Sequence, residues 1–347
     1  MSQQVSLLAR KIQDYLNTSS HWEYEKLLGN GAYGLAVLLR QKGENGPRRH
    51  RMAVKFALES GAKELQSEIS WLKRLNGAKH IVQILASCDN LVQPDQEVSS
   101  GFIDQTAFRS LAGIQGPVLA LEYIENGDML ALFKRMFKDD VHLPNRLLWS
   151  LYLCLIRACI GMAYPIGRPI GSPSILETIP IDGTPPQGIA HMDIAPRNIM
   201  LGIGDGLDEH HLGNVFKVID FGKARTTPNP NMGPQVNLRA ISALIAFLIN
   251  MADINTREVV HYKGFGTQAG QLLPQFWGDP YPWLDPDLAG LIAECMYVDM
   301  ENRPTLEDAL ERASDAVLNK TAASFSEPEE ETDYAINEFV QTYILNC

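Results

Sequence analysis

Cysteine is scarce in this chain: five thiols in 347 residues, at Cys88, Cys154, Cys159, Cys295 and Cys347. None forms a Cys-x-x-Cys pair and none keeps metal-ligand spacing with histidine. That excludes a disulfide-stapled scaffold and a zinc-finger type of site, and it fits a reducing compartment. Basic charge is also short, with 30 Lys and Arg against 41 Asp and Glu and a net charge of −11. Phosphate backbones select Lys/Arg-rich surfaces, so nucleic acid is not an expected partner. A single nucleotide stays open, because a glycine-rich backbone and one or two cations suffice to hold one. No long apolar run is present. The longest, Ala240 to Met251, is too short to span a bilayer and reads as a buried helix. Ser-Gln-Gln-Val after Met1 starts no apolar stretch of signal-peptide length. Together these shortages predict an intracellular chain without a membrane span, cytoplasmic with a nuclear location left open.

What is present is ordinary globular material, 45% hydrophobic and 20% charged. The length suits one two-lobed domain with short extensions. Leu7, Leu8, Ile12, Tyr15 and Leu16 fall at helical spacing and predict a short amphipathic helix over residues 1–21. Strand patterns follow at Tyr24–Leu28, Leu35–Leu39 and Met52–Leu58, then a helix from Lys63 to Leu75. Two more strands are expected at Ile81–Ala86 and Val118–Ile124, separated by a polar insertion over 88–116. Beyond Gly127 the pattern turns helical, at Asn145–Tyr164, Val236–Ile254, Leu288–Tyr297 and Thr305–Lys320. Pro165–Gln187 reads as a long loop, and short strands at Ile199–Leu201 and Phe216–Ile219 follow it. Ser324–Asp333 carries Glu327, Glu329, Glu330, Glu331 and Asp333 and reads as a solvated acidic segment within a tail over 319–347. Strands first and helices afterwards make an α+β pattern with two lobes.

Two short runs carry the chemistry. His191-Met192-Asp193-Ile194-Ala195-Pro196-Arg197-Asn198 offers an acid that can take a proton and an amide that can hold a metal ion. Asp220-Phe221-Gly222 adds a second metal-holding acid, with 21 residues between Asn198 and Asp220. Phosphoryl transfer from a nucleotide needs such groups close together, because its catalysis is mostly positioning and charge neutralisation. A His-x-Asp-x4-Asn match alone arises by accident in about one chain in twenty-five of this length. Followed by Asp-Phe-Gly at this distance, accident becomes a poor explanation. Upstream, Gly29-Asn30-Gly31-Ala32-Tyr33-Gly34 lies between two strands rather than between a strand and a helix. That placement fits a hairpin lid whose bare backbone can approach phosphates, rather than a dinucleotide fold. Lys55, in Ala53-Val54-Lys55, sits mid-strand among apolar residues and needs a partner or an escape to solvent.

The combination resembles the protein kinase family over residues 22–318. In its insertions and loose motifs the chain looks like the divergent kinase-like chains of filamentous fungi. The resemblance implies a bilobal kinase-like fold, with a small β-rich N-lobe over 22–124 carrying one regulatory helix and a larger helical C-lobe over 128–318. It implies ATP and Mg2+ as cofactors, with Gly29, Gly31, Gly34, Ala36 and Ala53 around the nucleotide and Lys55 on its α- and β-phosphates. Glu68 is the better-placed partner for Lys55, and Glu64 lies one turn earlier on the same face. Leu121 to Asp128 matches the interlobe hinge, where the Glu122 carbonyl and Ile124 N–H would meet the adenine and Asp128 the ribose. Asp193 would accept the proton of the acceptor hydroxyl, Arg197 would supply positive charge beside it, and Asn198 and Asp220 would hold Mg2+.

Departures from the family pattern shape the functional expectation. Met192 stands where many regulated kinases carry the arginine that meets a phosphorylated loop, so switching by loop phosphorylation is not expected. Ala195 replaces a phosphate-contacting lysine, and Arg197 matches the arginine of tyrosine kinases. Only about 13 residues connect Gly222 to the next apolar helix, a short link by loop-length priors. Gly233-Pro234-Gln235 stands where Ala-Pro-Glu is usual. Arg303 therefore lacks its expected glutamate and is left to find another acid or remain solvated. The expected function is an ATP- and Mg2+-dependent protein kinase, Ser/Thr-directed, with an atypical substrate surface. The alternatives are a pseudokinase or scaffold that keeps the fold, and a small-molecule kinase on the same fold.

Overall fold

Strand alternation builds the first of two units, which comprises Met1–Tyr123, Pro165–Ile175 and Asp220–Ala224. The computed structural model describes residues 3–30, 34–42, 51–88, 116–253 and 256–345. After helix α1 (Gln3–Thr18) come β1 (Trp22–Asn30), β2 (Gly34–Gln41), β3 (Arg51–Ala57), helix α2 (Ala62–Leu75), β4 (Ile84–Cys88) and β5 (Val118–Glu122). The strands form one antiparallel sheet in the order β1-β2-β3-β5-β4. Leu35, Val37 and Leu39, with Met52, Val54, Phe56, Val118 and Ala120, pack with Ile12 and Leu16 of α1 and with Trp22. The helix seen in the N-terminal periodicity is thus docked through its apolar stripe. Burying a side chain such as Ile12 or Leu16 contributes about 1.5–3 kcal/mol.

Because side chains alternate along a strand, Ala36, Ala53 and Lys55 belong to the opposite face. Lys55 lies across from Ala36 in the β2–β3 register and from Leu119 in β5. Helix α2 buries Leu65, Glu68, Ile69, Leu72 and Leu75, a stripe that carries one acid among its apolar residues. The strand expected at Ile81–Ala86 starts later, at Ile84. The Gln83 amide explains the shift. It donates to the carbonyls of Ala78 and Ile81 and accepts from Gly77 N–H, so the preceding segment is a stitched turn rather than a ladder. Part of the long loop joins this unit: Asn76 Nδ2 donates to the carbonyls of Arg168 and Pro169, and Ile175 N–H to Gly77. Most of the insertion over 88–116, the hairpin tip after Gln41 and the Gly31–Tyr33 tip lie outside the described residues.

The second unit, Ile124–Tyr164, Leu176–Ile219 and Arg225–Cys347, is mainly helical. It contains α3 (Met129–Asp139), α4 (Asn145–Ala163), β6 (Ile189–Ala190), β7 (Ile199–Ile203), β8 (Asn214–Val218) and β9 (Arg225–Thr226). Then follow α5 (Met232–Asn250), β10 (Val260–Tyr262), β11 (Phe265–Thr267), α6 (Pro286–Cys295), α7 (Leu306–Asn319) and α8 (Asp333–Val340). Helices α4 and α5 each run 19 residues and are long and apolar enough to cross a membrane. Their most apolar stretches are 89% and 61% buried inside the protein, which is the condition of core helices. Helix α5 starts at Met232, four residues before the apolar pattern predicts, because Pro234 is tolerated in a first turn, where its missing N–H is not needed.

The acidic tail departs from its reading as a solvated segment at one residue, while Glu329, Glu330 and Asp333 are exposed. Glu331 is 2% exposed. Its carboxylate accepts from Asn145 N–H (2.5 Å), Asn145 Nδ2 (3.0 Å) and Arg146 N–H (3.0 Å), at the start of α4. Arg146 also pairs with Asp333 at 2.7 Å. Composition groups five acids together; helix α4 takes one of them as the negative end its N-terminus favours.

Candidate active site

The first unit assembles one set of predicted groups. Lys55 Nζ lies 2.6 Å from Glu68 Oε1 and 3.6 Å from Asp220 Oδ1. β3 supplies the lysine, α2 the glutamate, and the Asp220-Phe221-Gly222 turn the second acid. Phe221 is fully buried, and its backbone N–H side faces Glu68. Burial works against the Lys55 ammonium, but the Glu68 and Asp220 carboxylates outweigh it and hold the Lys55 pKa above its ordinary value. The lysine is therefore a fixed cation at any physiological pH. Asp220 has φ 66°, and its Oδ1 accepts from Gly222 N–H at 3.4 Å. A left-handed aspartate is a tolerated but costly conformation, of the kind found at functional sites. Glu64, the other candidate for Lys55, has a buried Oε2 without a hydrogen-bond partner.

The glycine lid is described only at its two ends. At Gly29 an added Cβ would meet no atom of the described residues within 4 Å. At Gly34 a Cβ would sit 2.2 Å from the Phe56 carbonyl oxygen, so close approach of β2 to β3 requires glycine there. Ala36 and Ala53, both half-buried, keep the neighbouring sheet surface shallow. Glu122 ends β5, and its Oε1 accepts from Gln83 N–H at 2.8 Å while its own N–H donates to Gln83 O. Its side chain thus has a structural task that the hinge pattern does not reveal.

The second unit assembles another set around Asp193. Arg197 Nη2 donates to both carboxylate oxygens of Asp193, at 2.9 and 3.0 Å. Asn198 is buried, and its Nδ2 donates to the Asp193 carbonyl at 2.7 Å and to Asp193 Oδ2 at 3.3 Å. With the nitrogen so engaged, Asn198 Oδ1 is the atom left to face a cation. Ile219 N–H donates to the Asn198 carbonyl at 2.9 Å, extending the β7–β8 ladder into the loop. His191 is fully buried and shows its tautomer: Asp193 N–H donates to Nδ1 at 3.2 Å, so Nε2 carries the hydrogen that reaches the Ile219 carbonyl at 3.0 Å. Met192, 39% exposed, has φ 64° and lifts the backbone between His191 and Asp193.

Sequence reasoning assigned no role to Asn237. It is 1% exposed in α5, accepts from His191 N–H at 3.0 Å through Oδ1, and donates to the Ile189 carbonyl at 2.8 Å through Nδ2. The available signal was an amide flanked by apolar Val236 and Leu238 near the start of the helix. Ile124 is buried, and Asp128 uses Oδ1 to cap α3 through Ala131 N–H at 2.8 Å. That carboxylate, expected at a ribose, is thus partly engaged as a helix cap. Arg303 is half-buried and, among the described residues, its hydrogen bonds go to backbone rather than to an acid. It donates to the backbone carbonyls of Tyr297 (2.8 Å), Gln235 (3.2 Å) and Val298 (3.4 Å). Its burial, together with the charge of Arg239, lowers its pKa from the ordinary value.

No family model matches the chain. Over 227 residues, 64% of its length, it is 22% identical to the G2-specific protein kinase nim-1 of Neurospora crassa. The likeness is to a protein kinase. It is distant, and the chain spans 24% of that relative's length. A kinase-like relationship is supported at this level, and the family is left unassigned.

Proposed function

We propose that the chain is an ATP- and Mg2+-dependent phosphotransferase acting on a protein Ser/Thr hydroxyl. The observation that carries this reading is the Lys55 cation held at 2.6 Å from Glu68 and 3.6 Å from Asp220, since a lysine so restrained suits phosphate oxygens. The reading requires this set and the Asp193–Asn198 set to serve one nucleotide. The residues fit the cofactors: Gly29 offers bare backbone, and Asn198 Oδ1 and the Asp220 carboxylate are the hard oxygen donors that Mg2+ prefers. When bound, Mg-ATP supplies the phosphoryl group and the neutralising charge. Lys55 then binds phosphate oxygens, and Glu68 keeps its ammonium aimed. Asp193 accepts the hydrogen bond of the acceptor hydroxyl and takes its proton. Arg197 holds the Asp193 carboxylate in one orientation and adds positive charge beside it.

One feature favours a second reading. The link from Gly222 to α5 ends at Met232, and Arg303 is spent on backbone carbonyls. The surface that presents a peptide in conventional kinases is thereby reduced, which suits a small-molecule acceptor or a scaffold without turnover. Transfer of labelled phosphate from Mg-ATP to a generic protein, to a panel of metabolites and to the chain itself separates these readings. Protein labelling that falls to background in Asp193→Asn supports the kinase. ATP use stimulated only by a metabolite, or ATP binding without turnover, overturns it.

A further inference from the structure

We propose that His142, Glu327 and Glu330 form a binding site for a divalent transition-metal ion of the zinc type, distinct from any ion held by Asn198 and Asp220. Their ligand atoms all lie within 4.8 Å of one another. His142 Nδ1 sits 3.3 Å from the Leu143 carbonyl. A carbonyl only accepts, so Nδ1 carries the hydrogen and a neutral ring presents a bare Nε2 lone pair. That lone pair faces Glu330 Oε2 at 3.7 Å. A ring proton, a water molecule or a metal ion can each bridge two acceptors at this distance. The third ligand suits the metal: Glu327 brings a second carboxylate to the same point, completing one imidazole and two carboxylates, a donor set that zinc-type ions take.

The imidazole is also held as metal ligands are held. Its far nitrogen is anchored to a carbonyl, the usual outer partner of a ligating histidine. Its plane lies against Trp283, with centroids 3.8 Å apart and 4° between planes. The two glutamates share one turn, in which Glu330 N–H donates to the Glu327 carbonyl at 3.2 Å. Zinc-type ions bind N and O donors at about 2.0–2.2 Å and four-coordinately. The half-exposed glutamates need to close by roughly 1 Å to meet such an ion, and water completes the shell. The next residue of that turn is Glu331, bound to Asn145 and Arg146. A metal here staples the 327–331 turn to the segment entering α4.

The test uses the full chain stripped with chelator, then titrated with Zn2+ and, separately, with Co2+, at pH 7.5. The expected result is one site that raises the unfolding midpoint and gives visible Co2+ absorption with His/carboxylate character. Glu327→Gln and Glu330→Gln should each weaken binding at least tenfold while leaving the metal-free unfolding midpoint unchanged. His142→Ala should abolish the Co2+ spectrum, although it also removes a ring from Trp283. Equal Zn2+ affinity in wild type and in both glutamine variants overturns the proposal and places any binding elsewhere in the chain, such as at His80, Cys154 and His210. An unfolding midpoint that responds to pH but not to metal overturns it in favour of a protonated His142–Glu330 ion pair.

Discussion

Glu331 carries a prediction that composition alone contradicts. Replacing it with alanine removes the acceptor of three donors at the start of α4, Asn145 N–H, Asn145 Nδ2 and Arg146 N–H, in a place that is 2% exposed. A hydrogen bond to a charged partner contributes about 1.5–3 kcal/mol, and a carboxylate at a helix N-terminus adds about 0.3–1 kcal/mol. The three donors share one carboxylate and partly recover water, so the contributions do not add. A loss of about 3 kcal/mol is expected. At roughly 2.1 cal/mol/K of unfolding entropy per residue over 347 residues, each kcal/mol moves the midpoint by about 1.4 °C. Glu331→Ala should therefore melt about 4 °C below wild type in calorimetry at neutral pH, and Glu331→Gln, which keeps one acceptor, about 1–2 °C below. Exposed Glu329→Ala, in the same acidic stretch, should change nothing. A Glu331→Ala midpoint within 1 °C of wild type would refute the capping argument and restore the solvated reading.

Three further outcomes follow from particular contacts. Asn237→Asp should destabilise the chain by about 1–3 kcal/mol, because a carboxylate cannot donate to the Ile189 carbonyl and would face it buried; chemical denaturation checks this. Gly34→Ala should lower stability by about 1–3 kcal/mol through the clash with the Phe56 carbonyl, whereas Gly29→Ala should leave the midpoint unchanged and raise the KM for ATP. Burial alone would raise the Glu294 pKa, but hydrogen bonds from Arg312 and Lys263 outweigh it and hold the carboxyl below its ordinary value of 4.5. Its stabilisation is then fully present above that value and is lost as pH falls through the depressed one, so Glu294→Gln should be less stable than wild type at pH 7, with the gap closing in acid.

The sheet was readable because one parity of β2 and β3, with Leu35, Val37, Leu39, Met52, Val54 and Phe56, defines a core face, while β5 reads as a short apolar run. Helices α4 and α5 were readable as apolar blocks, α4 to within one residue of its end, but the ends of α5 were not, since Met232 to Gln235 carries no periodic signal. Helix phase left Glu64 and Glu68 as neighbours one turn apart; the contact with Lys55 comes from how α2 meets β3, which no local pattern encodes. The pairing of Arg197 with Asp193 is an i, i+4 contact whose spacing is visible, yet its geometry rests on the turn at Pro196–Asn198. The tail shows the limit most clearly. Five acids within seven residues read as solvent-exposed, and the burial of Glu331 depends on a helix start 186 residues away in sequence. Arg303 teaches the same lesson in reverse, because carbonyls that no side-chain code announces took the place of the missing acid.

The central claim is that Lys55, Glu68, Asp220, Asp193 and Asn198 serve one phosphoryl transfer from Mg-ATP. The most direct measurement is labelled phosphate transfer by wild type, Lys55→Met and Asp193→Asn side by side, with ATP binding and thermal unfolding followed on the same samples. Lys55→Met leaves Glu68 buried without its partner, so its unfolding midpoint should fall, while Asp193→Asn should stay folded and bind ATP. The account predicts transfer by wild type and at least a hundredfold loss in Asp193→Asn with ATP binding retained. Wild-type transfer no greater than that of Asp193→Asn, in protein that binds ATP, would contradict it.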